Sequence, residues 1–299
     1  LDDVFGYTTR KNKYILNMKI LVTGGAGFIG TNLIKRLLSE GHEVHSMDNY
    51  DSGLESNHQP NCNYITADIE TIEYFEGNGF ELVYHLAALS RIQPSFENPT
   101  ETFRVNVRGS EAVANWAKHN NVKVVYAGSS SKWHDPTISP YAMYKYLGEE
   151  VFKLYRKTFD VNVEICRFYN VYGPNEIVDG DWAAVIGIWR NQVDKNIPIT
   201  IVGDGEQRRD FTHVVDIVDA LYKIGISDKK HEDAWELGTG INYSVNEVYR
   251  MFQEKFGSEC TYIPDQKGNY RVTLRENNDT VERLEWKPED RLSDYIKSL

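Results

Sequence analysis

The stretch from Lys19 to Gly30, Lys-Ile-Leu-Val-Thr-Gly-Gly-Ala-Gly-Phe-Ile-Gly, constrains this chain more than any other. A short apolar run ends in four glycines within seven residues, and a helical pattern then begins at Thr31 with Asn-Leu-Ile-Lys-Arg-Leu-Leu. Strand, tight turn and helix start follow in the order that a dinucleotide pyrophosphate needs. Glycine lets the backbone approach phosphate without a Cβ clash, and a helix N-terminus offers free N–H groups with partial positive charge. Gly25, Gly27 and Gly30 fit the spacing G-x-G-x-x-G, while Gly24, Gly27 and Gly30 fit G-x-x-G-x-x-G. A Walker-type triphosphate loop is excluded, because Thr31 stands where that motif needs Lys.

The residues that follow extend this pattern. A helix is expected from about Thr31 to Glu40, ended by Gly41, and a strand over Val44–Met47 with Asp48 at its end. Asp48 lies 18 residues past Gly30, where a carboxylate meets the adenosine ribose hydroxyls and repels a 2′-phosphate, which favours NAD over NADP. The turn-forming residues Asn49, Asp51, Ser52 and Gly53 give Asp48 a second reading as a turn residue. A third strand over Asn63–Thr66 leads to Asp68 and Ile69, an acid and an apolar residue placed to hold adenine. A fourth, Glu81–Leu86, leads into Leu86-Ala87-Ala88, small enough for the backbone to pass close to a cofactor. A long amphipathic helix over Glu101–His119 contains Asn106, and a fifth strand covers Val122–Ala127. This alternation implies an α/β fold with a doubly wound parallel sheet, the Rossmann arrangement.

Gly128-Ser129-Ser130-Ser131 follows the fifth strand, and ligands of such sheets bind beyond the strand C-termini. Pro140 then opens a helix that runs to about Thr158. Tyr141 and Lys145 are four residues apart and share one of its faces. An ammonium near a phenol favours the phenolate and draws the Tyr pKa from ~10 toward working pH, as a general acid/base requires.

The totals narrow the field. At 299 residues the chain fits one large α/β domain with a smaller lobe. A net charge of −11 argues against nucleic-acid binding. Cys62, Cys166 and Cys260 are far apart, show no metal spacing and suit a reducing cytoplasm. No apolar run approaches the ~18 residues of a membrane span. Residues 1–17 are expected to be a leader, an upstream extension or cloning remnant without a role, residues 18–173 the NAD-binding domain, and residues 174–299 mainly a C-terminal α/β substrate lobe with some segments returning to the first domain. In that lobe helices are expected over Ala183–Asn191, Val214–Ile224 and Val245–Phe256, with Asp216 and Asp219 on the polar side of the second, and strands over Ile197–Val202 and Trp235–Gly238.

Taken in order, Thr23 to Gly30, Asp48-Asn49, Asp68-Ile69, His85 to Ala88, Asn106, Tyr126 to Ser131, Tyr141 with Lys145, Arg167 to Pro174, Gly203-Asp204-Gly205 with Arg209-Asp210-Phe211, and Ser244 to Glu247 resemble the extended short-chain dehydrogenase/reductase family, in its nucleotide-sugar epimerase/dehydratase branch. The resemblance covers about Met18 to the end, and Gly24/Gly27/Gly30 is the glycine spacing that this family uses. It implies NAD held by Gly24, Gly27, Phe28, Ile29, Gly30, Asp48, Asn49, Asp68, Ile69, Leu86, Ala87, Ala88, Asn106, Tyr141, Lys145 and Tyr169. It implies that Tyr141 is the base toward a sugar hydroxyl, that Ser129 bonds the same hydroxyl, and that Lys145 binds the nicotinamide ribose and depresses the Tyr pKa. Asn170 and Arg209 are expected on the nucleotide diphosphate, with Ser90, Arg91 and Ser130 as further substrate contacts, and a homodimer is expected through the helices near Glu101–His119 and Tyr141–Thr158.

Members of the family that remove water from the sugar carry an Asp-Glu pair directly after the serine, and decarboxylating members carry a Glu at the second of those positions. Here the two positions are Ser130 and Ser131. One hydroxyl, one Tyr, one Lys and NAD remain, a set that oxidises a carbinol and reduces it back. By subtraction the resemblance implies a 4-epimerase of the UDP-glucose/UDP-galactose type, with a dehydratase or reductase of the same family, and a non-catalytic NAD-binding scaffold, as alternatives. The chain also departs from the family. Residues 132–140 form a shorter loop than usual, with Lys132 and His134 in unusual places, and the family's diphosphate-binding Arg falls on Gln266, leaving Lys267 or Arg271 to take that part.

Overall fold

The computed structural model describes residues 17–77 and 79–299, so the expected leader lies, apart from Asn17, outside the described residues. The first half alternates strand and helix: β1 (Lys19–Thr23), α1 (Phe28–Ser39), β2 (Glu43–Asp48), β3 (Cys62–Thr66), β4 (Leu82–His85), α2 (Ile92–Glu97), α3 (Pro99–Phe103), α4 (Gly109–Asn120), β5 (Lys123–Ser129), α5 (Pro140–Phe159) and β6 (Val163–Phe168). The remainder comprises β7 (Asn170–Tyr172), α6 (Val185–Asp194), β8 (Ile199–Val202), β9 (Arg208–His213), α7 (Val214–Ile226), β10 (Trp235–Leu237), β11 (Asn242–Ser244), α8 (Val245–Phe256), β12 (Cys260–Ile263), α9 (Asp279–Leu284) and α10 (Leu292–Ser298).

Seven strands form one sheet in the order β10-β6-β5-β4-β1-β2-β3, every neighbouring pair parallel. Side chains alternate across a strand, so β1 is apolar throughout because both of its faces are covered. Ile20 and Val22 pack with α1 and α7, through Leu33, Leu37, Ile217 and Leu221. Leu21 packs on the opposite side with Val113, Trp116 and Phe152 of α4 and α5. This is the doubly wound Rossmann architecture expected from the alternation. The strand order turns at β1 and β4, and a crevice opens at the C-terminal ends of such neighbours.

A second core joins α6, α8 and α10 to two small sheets, β11-β9-β7 and β12-β8, around Trp189, Ile199, Phe211 and Phe252. α8 begins with a complete capping box, Ser244 and Glu247, which fixes its start where the sequence pattern places it. Chain order and lobe do not coincide: β10, far along the chain, pairs with β6 at the edge of the large sheet.

Two expectations change. The single helix over Glu101–His119 is α3, a π turn at Arg104–Arg108, and α4. Asn106 lies in that π turn, with Oδ1 accepting from Leu89 N and Nδ2 donating to Leu89 O, both at 2.9 Å. Asp216 does not face water beside Asp219. It is buried, and its carboxylate accepts from Glu289 N and Arg291 Nε, tying α7 to the C-terminal segment.

Candidate active site

A cleft of about 710 Å³ runs from the glycine turn, past the ends of β4 and β5, to the small lobe. At its first end the turn is held tightly. Gly24 has φ +71°, and a Cβ there would meet Ala87 N at 2.8 Å. A Cβ on Gly30 would meet Gly24 O at 2.2 Å. Only glycine allows the turn to close on β4 and α1 to start directly behind it. Gly27 caps α1 without a side-chain hydrogen bond, which leaves the first N–H groups of the helix open to the cleft. Gly24, Gly27, Phe28, Ile29 and Gly30 all line it. Asp48, at the end of β2, accepts from Ala26 N at 2.9 Å and Tyr50 N at 2.8 Å. Burial raises its pKa, and these amides offset only part of the rise. Asn49, Ile69, Leu86, Ala87 and Ala88 line the same end. An open helix N-terminus, a carboxylate at the second strand and a wall of small residues fit a dinucleotide such as NAD.

The middle of the cleft brings β5 and α5 together. Ser139 caps α5 by accepting from Ala142 N, Pro140 takes the first helical position, and Tyr141 follows in the first turn. Ser95 of α2 accepts from Tyr141 N at 3.1 Å, which seats that turn. The Tyr141 hydroxyl donates to Ser129 Oγ at 3.3 Å. Burial raises the Tyr141 pKa; the Ser129 hydrogen bond and the Arg91 charge lower it. Lys145, one turn further on, donates to Ala127 O at 2.5 Å and lies 4.7 Å over the Tyr126 ring. Burial brings its pKa down to about 8, against the pull of Glu149. The Lys145 ammonium is turned to a carbonyl, and Arg91 is a cation that acts on the phenol. His85 is a buried strand residue, bonded to Thr23 Oγ1 at 2.9 Å, with burial holding its pKa near 3.

Tyr169 lines the cleft and is anchored from behind. Its hydroxyl donates to Glu236 Oε2 at 2.9 Å, which also accepts from Trp133 Nε1 at 3.2 Å. The other Glu236 oxygen accepts from buried Arg167, which is forked onto Glu149 at 2.6 and 3.0 Å.

At the far end, Asn170, Arg209, Ser90, Arg91 and Ser130 line the cleft. Asn170 Nδ2 donates to Asp210 O and Thr273 Oγ1. Arg91 donates to the carbonyls of Trp182 and Ser90, and Arg209 to that of Arg208. Among the described residues neither guanidinium has a carboxylate partner within salt-bridge distance, although Glu176 acts on Arg91 from further off, so both can offer positive charge to an anion. Burial brings the Arg209 pKa down to about 10.

Three expected residues stand back from this surface. Asp68 is paired with Arg104 at 2.8 Å through both oxygens and caps the short helix after β3, behind the residues that line the cleft. Asn106 acts through Leu89, holding the β4 loop in place. Arg271 is exposed and forked onto Asp204, so it is not on the cleft wall, where Gln266 stands instead. Lys132 also turns away, pairing with Glu150 at 2.8 Å. Sequence reasoning missed Glu176 and Tyr270. Glu176 lines the cleft, is buried, and has Oε2 without a hydrogen-bond partner while Oε1 holds Tyr295 and Arg190. A charge directly after Gly173-Pro174-Asn175 was its signal. Tyr270 carried none.

A model of the NAD dependent epimerase/dehydratase family matches residues 20–238. A Methanocaldococcus jannaschii protein, provisionally named a UDP-glucose 4-epimerase, is 34% identical, with 93% of this chain and 96% of that protein covered. UDP-glucuronic acid decarboxylase 4 of Arabidopsis thaliana is 26% identical, over 91% of this chain and 65% of its own length. The crystal structure of a Thermotoga maritima UDP-glucose 4-epimerase with UDP-glucose superposes with a TM-score of 0.88 at 29% identity, covering 94% of this chain and 96% of that one.

Proposed function

Because the chain belongs to the NAD dependent epimerase/dehydratase family, we propose that it is a nucleotide-sugar 4-epimerase of the UDP-glucose/UDP-galactose type. The observation that carries this reading is the Tyr141 hydroxyl bonded to Ser129 Oγ in a cleft where Ser130 and Ser131, and no acid pair, come next. The similarity to a protein provisionally named a UDP-glucose 4-epimerase and to the Thermotoga maritima UDP-glucose 4-epimerase supports the choice of sugar.

NAD would be held by the Gly24–Gly30 turn, Asp48, Leu86 to Ala88, Lys145 and Tyr169, and when bound it supplies a hydride acceptor that also returns the hydride. Tyr141 takes the proton of the sugar C4 hydroxyl as base and gives it back as acid after the ring has turned over. Ser129 shares that hydrogen bond and holds the hydroxyl at the phenol. Arg209 and Asn170 clamp the diphosphate, so the nucleotide stays bound while the ring is free to rotate.

A second reading, loss of water to a stable 4-keto product, is favoured by Glu176, whose pKa burial raises against the hydrogen bonds of Tyr295 and Arg190. Incubating the NAD-loaded protein with UDP-glucose and following products by NMR separates these. UDP-galactose supports the epimerase, a stable 4-keto sugar supports the second reading, and bound NAD with no turnover on a sugar panel points to a scaffold. We assign the enzyme to the cytoplasm, in keeping with its three free cysteines, and to a homodimer. The exposed Phe103, Leu154 and Phe159 of α3 and α5 support the dimer, and light scattering tests it. No described helix is long and apolar enough to cross a membrane.

A further inference from the structure

Residues 132–140, the short loop before α5, meet residues 264–273 over one end of the cleft. The second segment is tied to both lobes. Gln93 Nε2 donates to Lys267 O at 2.8 Å on the large-domain side. On the other side Arg208 N donates to Arg271 O at 2.9 Å, and Thr273 N to Arg208 O at 3.0 Å. Between these ties the Tyr270 ring stacks on His134, with centroids 4.1 Å apart and planes at 16°. Tyr270 lines the cleft, and its hydroxyl is buried beside the Ser131 and Ser139 hydroxyls without making a hydrogen bond of good geometry to either. A buried hydroxyl is ordinarily satisfied, and one on a residue of the cleft wall that lacks a good partner gains one when a polar ligand packs against it.

Its place identifies the ligand group. In a nucleotide sugar the ring lies between C4, where the proton is exchanged, and the phosphate on C1. Under the function proposed above, on which this inference rests, Tyr141 stands at the first point and Arg209 at the second. Tyr270 is near enough to interact electrostatically with both. We infer that Tyr270 is a substrate-binding residue whose hydroxyl hydrogen-bonds a ring hydroxyl of the sugar, with His134 as the positioning residue that holds its ring by stacking. A phenol both donates and accepts, so one hydroxyl serves the ring before and after it turns over. The stack ties the 132–140 loop to the segment that carries Tyr270 on the cleft wall.

Calorimetric titration of the NAD-loaded protein with UDP-glucose and, separately, with UDP tests this. Tyr270→Phe is expected to raise Kd for UDP-glucose about 5-fold, the size of one neutral hydrogen bond, and to leave Kd for UDP and bound NAD unchanged. His134→Ala is expected to raise Kd for UDP-glucose selectively as well, with the thermal midpoint preserved. Equal UDP-glucose affinity in wild type and Tyr270→Phe overturns the inference, as does a parallel rise for UDP, or a wild type that binds UDP-glucose no better than UDP. A sugar-selective loss in a protein that never forms UDP-galactose upholds Tyr270 and overturns the epimerase.

Discussion

Tyr141 and Ser129 reach one another from different elements, the first turn of α5 and the last residue of β5, and their hydroxyls meet at 3.3 Å. The contact depends on the Ser139 cap and the Ser95 bond to Tyr141 N, both of which fix the first turn of the helix. Under the proposed function it is the point at which a sugar hydroxyl loses its proton.

Tyr141→Phe is expected to lower kcat by at least ~10²-fold, since the group that exchanges the proton is gone while the ring is kept. Ser129→Ala, which leaves the phenol in place, is expected to cost less. Circular dichroism should show both folded and NAD should remain bound. Near wild-type turnover in Tyr141→Phe would remove Tyr141 from the mechanism.

Arg91→Met should move the pH profile. Tyr141 works as a base when deprotonated. Burial raises its pKa, and the Ser129 bond and the Arg91 charge lower it. Removing the guanidinium therefore raises the pKa further, so the acidic limb of kcat/KM shifts to higher pH, and Arg91→Lys should restore most of it. Groups that face the phenol from other elements, Tyr126 of β5 and Tyr270, are themselves raised by burial and do not supply the missing charge. An unshifted limb in Arg91→Met would show that another cation sets the Tyr141 pKa.

Gly30→Ala places a methyl 2.2 Å from Gly24 O and 2.6 Å from the Gly25 Cα, both rigid backbone. The start of α1 must then move off the turn and carry its open N–H groups away from the phosphates. Purified protein is expected to hold far less NAD, read by absorbance after acid extraction, with the far-ultraviolet spectrum retained. Retention of stoichiometric NAD would separate the turn from cofactor binding.

What could be seen in the sequence was what local physics decides. The glycine turn, the Ser244–Glu247 capping box and the four-residue spacing of Tyr141 and Lys145 each follow from neighbours along the chain. Where a side chain's partner is remote, composition is silent. Arg209 and Arg271 are equally basic in sequence, but Arg271 is claimed by Asp204, 67 residues away, and Arg209 is left for a ligand. Nothing near Asp68 in the sequence shows that Arg104, 36 residues on, pairs with both its oxygens. Asp216 has the spacing of an exposed helix position, and only the returning C-terminal segment buries it. The stack of His134 on Tyr270 joins two segments that show no pattern in common.

Arg167→Met should test how far the site depends on the layer behind it. Arg167 is 1% exposed and joins Glu149 and Glu236, whose side chains are 2% and 4% exposed. Removing the cation leaves buried Glu236 without a cation, while Glu149 keeps Lys153 at 2.8 Å, and breaking the buried pair costs about 3–5 kcal/mol, or roughly 10 °C in the thermal midpoint. Asp233 adds a pH signature. Burial raises its pKa, but Arg167 and Lys153 outweigh that and hold it at about 2, below the usual 3.8. A carboxylate depressed in the folded state contributes stability above its unfolded pKa and loses it as the pH falls toward the folded one. The wild type should therefore weaken between about pH 4 and pH 2, and Arg167→Met should lose part of that dependence. Tyr169 hangs from Glu236, so NAD affinity should fall together with stability. A variant with an unchanged midpoint and unchanged NAD binding would mean that the layer is not what holds Tyr169 in the cleft.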